Sequence, residues 1–356
     1  MTTRLEGLDL ARALALCAMV LVNFHLAMGA PQGQPGWLTA LFSALEGRSA
    51  ATFVMLAGVG LGLGTRRMAW GAAAAHTARR GLFLLGLGLL NVLLFPADIL
   101  HYYGVYFLLA ALCLRLPSSL LVMLAMGLAD LFVTLIFLFD YQAGWRWADL
   151  SYPEFWQPVG FARNLLFNGW HPVVPWFAFL LAGLWLSRQP LGARRTQWRM
   201  VLRGSLAALL AKGSSLTLSA LFPAWASLFA LAPLPPLPLY LLFAGGAACA
   251  LIGLCLLLMG SAWRPPALGL LLPMGRQSLT LYMAHILLGM GALEALGWLQ
   301  GKTPWQVLLA ALLYLLAAAL FARQWERRFG RGPLERLMRR LCDRRTASPL
   351  PQRCED

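Results

Sequence analysis

The chain has 356 residues, 60% of them hydrophobic and only 12% charged, whereas soluble globular proteins carry about a quarter charged residues. So few polar groups cannot solvate a surface of this size, which excludes an ordinary soluble enzyme. The formal charge of +15 suggests nucleic acid in a soluble protein, but its placement along this chain has another cause, and no nucleic acid is expected.

Apolar runs of about 18 residues or more read as membrane crossings. They are expected at 8–28, 41–64, 80–97, 99–116, 118–139, 170–187, 204–222, 238–260, 275–296 and 304–323. The fold class is therefore an all-α polytopic membrane bundle of about ten transmembrane helices. It occupies 1–323 and is followed by a basic tail over 324–356. Asp9 and Arg12 interrupt the first apolar run, which favours a retained span over a cleaved signal. The connection 141–169 is rich in Trp and Tyr, which suits a headgroup interface. The Pro-rich stretch 223–238 is the weakest point of the span count. Of the 29 Lys and Arg, only Arg48, Arg146, Arg163, Lys212 and Lys302 fall outside one set of alternate connections and the two termini. Lys and Arg favour the cytoplasmic side, so both termini are expected in the cytoplasm. The basic tail is expected to lie against anionic lipid. Cys17, Cys113, Cys249, Cys255, Cys342 and Cys354 form no C-x-x-C, and four lie in apolar runs. Neither a disulfide framework nor a zinc site follows, and no metal is expected.

An ionisable residue inside a membrane is costly and marks a functional candidate. Along the first helix, Asp9, Arg12, Met19 and Asn23 share a face, because eleven residues return to within about 20° of the start. His25 falls nearly opposite. It shares a pocket with Asn23 only if the helix ends near Phe24; otherwise it is an interfacial histidine without a role. Arg12 pairs with Asp9 or contacts a ligand. Glu46 and Arg48 form an interfacial ion pair or line a site. Asp98 and His101, at i and i+3, read either as a carboxylate orienting an imidazole base or as a helix cap with Asp98 accepting backbone N–H groups. His171 precedes Pro172 and reads as a helix entry. Ser278, Tyr282 and His285 follow at i, i+4 and i+7, a polar stripe in which each group needs a partner. Arg276, at the mouth of that helix, either holds a phosphate with its forked guanidinium or anchors the cytoplasmic end. Within spans, Lys212 can snorkel, whereas Asp130 has no evident partner. The Gly58-x-Gly60-x-Gly62 stretch reads as close helix packing rather than a phosphate loop.

The opening "RLEGLDLARALALCAMVLVNF" resembles the R-x-x-x-LD-x-x-RG-x-A start of the bacterial YeiB-like membrane proteins and of the heparan-alpha-glucosaminide N-acetyltransferase family, with Ala13 in place of the usual Gly. The membrane acyltransferase-3 family is a more distant cousin. In that cousin's pattern a histidine follows the first-span arginine by eleven positions. Here Asn23 occupies that position. "EGRSAATFVMLAGVGLGL" (46–63), "DILHYYGVYFLLA" (98–110), "FNGWHPVVPWFAFLLAGLWLSR" (167–188) and "GRQSLTLYMAHILL" (275–288) resemble further family segments in the same order. The resemblance implies transfer of an acyl group, acetyl first among candidates, from cytoplasmic acyl-CoA to an acceptor across the membrane.

On this reading the chain is a membrane-bound O- or N-acyltransferase of a bacterial inner membrane. Acyl-CoA is the donor, and a hydroxyl or amine of an envelope sugar or lipid is the acceptor. His25, Asn23, Asp98, His101 and His285 are the catalytic candidates, and Arg12 and Arg276 the candidates for the CoA phosphates. Glu46, Arg48, His171, Tyr282 and Ser278 are candidates for the acceptor. Membrane lipid and a homodimer are the expected partners. The rival reading is a small-solute transporter that uses the same polar pocket without bond making. A third is a structural membrane component with a degenerate site.

Overall fold

A computed structural model describes residues 4–29, 36–261 and 265–343, all-helical with no strand among them. Arg264, Cys354 and the tail beyond residue 343 lie outside the described residues. The helices are α1 (Glu6–Met28), α2 (Trp37–Leu45), α3 (Arg48–Thr65), α4 (Trp70–Val92), α5 (Leu100–Cys113), α6 (Ser118–Leu138), α7 (Pro158–Arg163), α8 (Val173–Leu186), α9 (Arg194–Leu221), α10 (Pro238–Met259), α11 (Pro266–Arg276), α12 (Ser278–Ala284), α13 (Gly291–Ala295), α14 (Pro304–Phe329) and α15 (Pro333–Cys342). Two π-helical turns, Asn164–Asn168 and His285–Met290, follow α7 and α12.

Each expected span falls on a helix, but not each helix is a crossing by length and hydropathy. Six are: α1, α2 and α3 taken together (Trp37–Thr65), α6, α10, Ser278–Ala295 and α14. A seventh arises if Pro158–Asn168 and Val173–Leu186, bent by 48°, count as one. Six or seven stand against the expected ten. The difference lies in α4, α5 and α9. Only 14 residues form α5, Arg79 and Arg80 interrupt α4, and a polar run from Lys212 to Thr217 interrupts α9.

The central helix, α1, packs against α3, α10, α11 and α14. It runs unbroken through His25 and stops at Gly29, whose left-handed conformation (φ 52°) returns its N–H to the His25 carbonyl at 3.2 Å. A glycine costs nothing sterically in that conformation. At the start of α14, Thr303 and Gln306 form a capping box and Pro304 takes the first helical position. The arginine-bearing turns gather at one end of the bundle. Arg115 Nη2 donates to the carbonyls of Thr65 (3.2 Å) and Met68 (2.5 Å), and Arg188 Nη1 donates to Ser118 Oγ at 3.1 Å.

The Gly58-x-Gly60-x-Gly62 stretch packs against protein. Gly58 meets Gly183 of α8, where an added Cβ would stand 3.0 Å from the Gly183 Cα, and a Cβ on Gly183 would strike the Met55 carbonyl. Two backbones therefore touch with no room for a side chain. The Gly183→Val variant is expected to lose about 1–3 kcal/mol through overpacking, read as a lower thermal unfolding midpoint in detergent.

The short α15 lies across the arginine-rich end. Glu335 accepts from the backbone N–H groups of Leu279 (2.8 Å) and Thr280 (3.1 Å) and from Thr280 Oγ1 (2.5 Å). Met338 and Cys342 are buried against the bundle, while Leu337 and Leu341 remain exposed.

Candidate active site

Polar side chains inside this apolar bundle find one another. Asp98 lies in the turn between α4 and α5 and is fully buried. Its Oδ1 accepts from Asn91 Nδ2 (2.7 Å) and from the Tyr282 hydroxyl (3.2 Å). Its Oδ2 lies 3.1 Å from the donating His101 backbone N–H and 3.0 Å from His101 Nδ1. The carboxylate thus serves both as helix-start acceptor and as imidazole partner. His101 Nε2 has no partner among the described residues, and the ring lies against Tyr102 and Phe155.

Tyr282 carries the network from α5 to α12. One turn further on, His285 Nδ1 bonds to the Tyr282 carbonyl. An N–H donates to a carbonyl, so the proton sits on Nδ1 and Nε2 is left as an acceptor. Asn23 Nδ2 donates to that Nε2 at 2.9 Å. The structure therefore joins Asn23, Asp98, His101, Tyr282 and His285 in one connected set, across helices far apart in sequence. Sequence reading missed Asn91, although a lone amide in the apolar run "GLLNVLLF" is the same kind of signal that singled out Asn23.

His25 stands apart. Because α1 continues to Met28, its ring points away from Asn23 and stacks on Phe42 at 4.6 Å. Arg48 stacks its guanidinium over Phe243 of α10 at 4.5 Å and donates to the Ala44 carbonyl. No ion pair joins it to Glu46 among the described residues. His171 is better placed than its helix-entry reading suggested. It packs edge-on against Trp176, its carbonyl accepts from Tyr106, and its Nδ1 has no partner among the described residues.

Three cavities meet end to end. An outer chamber of about 50 Å³ is lined by Asn23, Ser49, His171 and Tyr282. An inner chamber of about 150 Å³ is lined by Arg12, Arg80, Tyr103, Ser278 and Tyr282. The two chambers share Met19, Ile99 and Tyr282. Beyond the inner chamber opens a vestibule of about 1120 Å³ at the arginine-rich end, with Arg79, Arg80, Arg331 and Arg339 in its wall. Arg80 and Met338 line both of these spaces.

The two arginines singled out in the sequence sit beside this path but are engaged. Asp9, buried at 2% exposure, accepts Arg4 at 2.7 Å, Arg12 at 3.0 Å and Arg276 at 3.4 Å. Arg276 also pairs with Glu326 (3.1 Å) and Glu6 (3.3 Å). Arg80 has no hydrogen bond or ion pair among the described residues, and sequence reading passed over it as one more topology signal. Burial, with Arg80 beside it, lowers the His76 imidazole below its ordinary pKa, while Asp343, 3.4 Å from its Nδ1, acts in the opposite sense. No group of three or more metal-ligating side chains occurs among the described residues.

Residues 4–221 match the heparan-alpha-glucosaminide N-acetyltransferase catalytic family. The chain belongs to that family. Residues 188–345 match a second family, described as a protein of unknown function (DUF418), which is the YeiB family domain. The chain is thus a YeiB-like member, as its five ordered motifs implied, with a membrane acetyltransferase-like character in general. No curated protein matches it. Asn23, Asp98, Arg79 and Arg80 lie within the catalytic match, whereas Tyr282 and His285 lie in the second.

Proposed function

We propose that this is a multi-pass enzyme of a bacterial inner membrane. It moves an acyl group, acetyl first among candidates, from cytoplasmic acyl-CoA to a hydroxyl or amine of an envelope sugar or lipid on the far side. The observation that carries this reading is the series of three spaces from an arginine-walled vestibule to Asn23, whose amide holds the buried His285. The bias of arginine toward one end supports a cytoplasmic vestibule.

In this mechanism Arg79 and Arg80 take the CoA phosphates, since Arg12 and Arg276 are held by carboxylates. The pantetheine arm enters the inner chamber, and the thioester carbonyl reaches the Tyr282–Asn23 junction. The acceptor enters from the outer chamber, beside His171. When Asn23 turns its amide from His285 Nε2 to the thioester oxygen, that nitrogen becomes free to take the acceptor's proton. The acceptor oxygen or nitrogen attacks the carbonyl carbon, and the C–S bond breaks. The CoA thiolate leaves inward and recovers the proton from the imidazolium. Removing a proton in this way typically contributes about 10²–10⁴-fold. Asp98 holds Tyr282 and, through it, the start of the His285 turn.

The test is purified protein given radiolabelled acetyl-CoA and an envelope extract. Acceptor-dependent release of CoA supports the enzyme. Solute uptake into vesicles with no CoA requirement would favour the transporter reading and sink this one. The double variant Arg79→Gln/Arg80→Gln is expected to raise KM for acetyl-CoA by at least about tenfold, because each charge-assisted hydrogen bond is worth about 1.5–3 kcal/mol. Its kcat is expected to stay near that of the parent.

A further inference from the structure

A groove of about 560 Å³ lies between two membrane-length segments, Ser278–Ala295 and α14. Leu288 and Leu313, both exposed, line it, so it is open on the face turned to lipid. Thr280 and Leu296, also in its lining, stand about 24 Å apart at 1.5 Å per residue. The groove therefore runs through most of a hydrocarbon core about 30 Å thick. Its hydroxyls are spent: Thr280 Oγ1 donates to Glu335 at 2.5 Å, and the Tyr314 hydroxyl to the Leu281 carbonyl at 2.9 Å. What is left is hydrocarbon contact, which suits a lipid chain and not a sugar or a nucleotide.

One end of the groove carries a charge. Trp298 lines it, and the Lys302 ammonium lies 5.8 Å from the centre of the Trp298 ring. That ammonium has no ion pair or hydrogen bond among the described residues. Lys302 precedes α14, whereas Glu326 and Arg331, from the other end of that helix, line the vestibule. The free cation thus sits opposite the vestibule, beside a tryptophan of the kind that marks a headgroup level.

The groove also borders the reaction path. Phe24 and Tyr314 line it, and the Tyr314 ring lies 6.5 Å from that of His285. Phe24 follows Asn23 on α1. The Lys302 backbone N–H donates to the Met28 carbonyl at 3.2 Å, and Met28 lies about 8 Å beyond Asn23 along the helix. A headgroup held at Lys302 is therefore close to the depth of the Asn23 amide.

We infer that the groove seats the hydrocarbon chain of a phosphate-bearing lipid, with its phosphate at Lys302, and that this lipid carries the acyl acceptor. The inference rests on the acyl-transfer reading above and narrows its acceptor to the lipid phase. Donor and acceptor then arrive by separate routes, one through the vestibule and the other sideways from the bilayer. The new ester or amide forms on the lipid headgroup as the C–S bond breaks, and the acceptor's proton passes by way of His285 to the CoA thiolate. The match of a free cation to a phosphate, at the end of a groove with no free hydroxyl, commits the site to a lipid rather than a neighbouring helix.

The test uses the full chain in vesicles of total bacterial lipid, with a trace of phosphatidylglycerol carrying a diazirine in its acyl chain. Illumination is expected to label groove peptides above the exposed Leu209 of α9, a surface that meets only bulk lipid. Ala317→Trp, at an exposed groove position, is expected to lower that labelling about tenfold by filling the space. Lys302→Gln is expected to lower it about fivefold, the worth of one lysine beside anionic lipid. With radiolabelled acetyl-CoA, label is expected in the organic extract, and Ala317→Trp is expected to slow its appearance while CoA binding stays at the parental level. Equal labelling of the groove and Leu209, or capture of a protein by a photoreactive amino acid at Ala292 in native membranes, would overturn the inference. Acetyl recovered only on a water-soluble acceptor, at a rate unchanged by Ala317→Trp, would overturn it too and leave the acyl-transfer reading standing. No acceptor-dependent CoA release in either phase would overturn that reading and this inference together.

Discussion

Alanine at His285 is expected to cut acyl transfer by about 10²–10⁴-fold, the ordinary worth of a positioned base, with CoA binding unchanged. The imidazole is fully buried, donates from Nδ1 to the carbonyl of Tyr282 and keeps Nε2 as an acceptor for Asn23. Removing the ring deletes the proposed proton acceptor but leaves the vestibule intact, because His285 is not among the residues that line it. The loss should therefore appear in kcat rather than in KM, which is the signature of an interaction made only in the transition state. Asn23→Ala should also lower kcat, since it removes the amide proposed to hold the thioester oxygen. His25→Ala supplies the control. Its ring stacks on Phe42 on the other face of α1, and the variant is expected to retain parental turnover. Radiolabelled acetyl-CoA turnover in detergent, with CoA binding measured separately, decides among these outcomes. A fully active His285→Ala enzyme would remove His285 from the chemistry.

Asp98→Ala is expected to be the most destabilising single change in the site, at about 3–5 kcal/mol, the cost of breaking one side of a buried polar pair. Four groups rely on the carboxylate: the Asn91 amide, the Tyr282 hydroxyl, and the His101 backbone N–H and ring nitrogen. Asn91 and His101 are about 1% exposed and cannot turn to bulk water. Thermal unfolding in detergent should show a large fall in midpoint, and Asp98→Asn, which keeps an acceptor oxygen, should recover part of it. Equal stability of Asp98→Ala and the parent would show that the network rearranges freely.

Much of the network could be read from residue type alone, because a polar side chain in an apolar run is costly wherever it occurs. That is why Asn23, Asp98, His101, Tyr282 and His285 stood out. Helical spacing further predicted that Asn23 and His25 face opposite ways, leaving only the end of α1 open, and Gly29 sets that end beyond His25. Partnership was not legible. Asn23 and His285 lie at opposite ends of the chain, and only packing between α1 and the turn after α12 brings them together. The arginines show the same limit. Arg12 and Arg276 resembled phosphate ligands at their helix mouths, but Asp9, Glu6 and Glu326 converge on them, and Arg80 is left unengaged. Local sequence cannot distinguish a paired guanidinium from a free one when the pairing carboxylate comes from another helix. The span count is left unconfirmed for a related reason. Arginines in α4, a polar run in α9 and the shortness of α5 lower the apolar length of helices that still form beside their neighbours.

The position of Met338 has a consequence for how the chain can be cut or fused. This side chain lines both the vestibule and the inner chamber, where the two spaces meet, yet it belongs to the short helix after the last apolar one. A protein stopped after Gly330 would keep every hydrophobic helix and lose the stopper. On the mechanism proposed above, bulk water would then reach the thioester at Tyr282, and idle hydrolysis would compete with productive transfer. Fluorescent or affinity tags grafted at Phe329 would drain acyl-CoA wastefully, while the same tags placed beyond Asp343 would leave the plug seated.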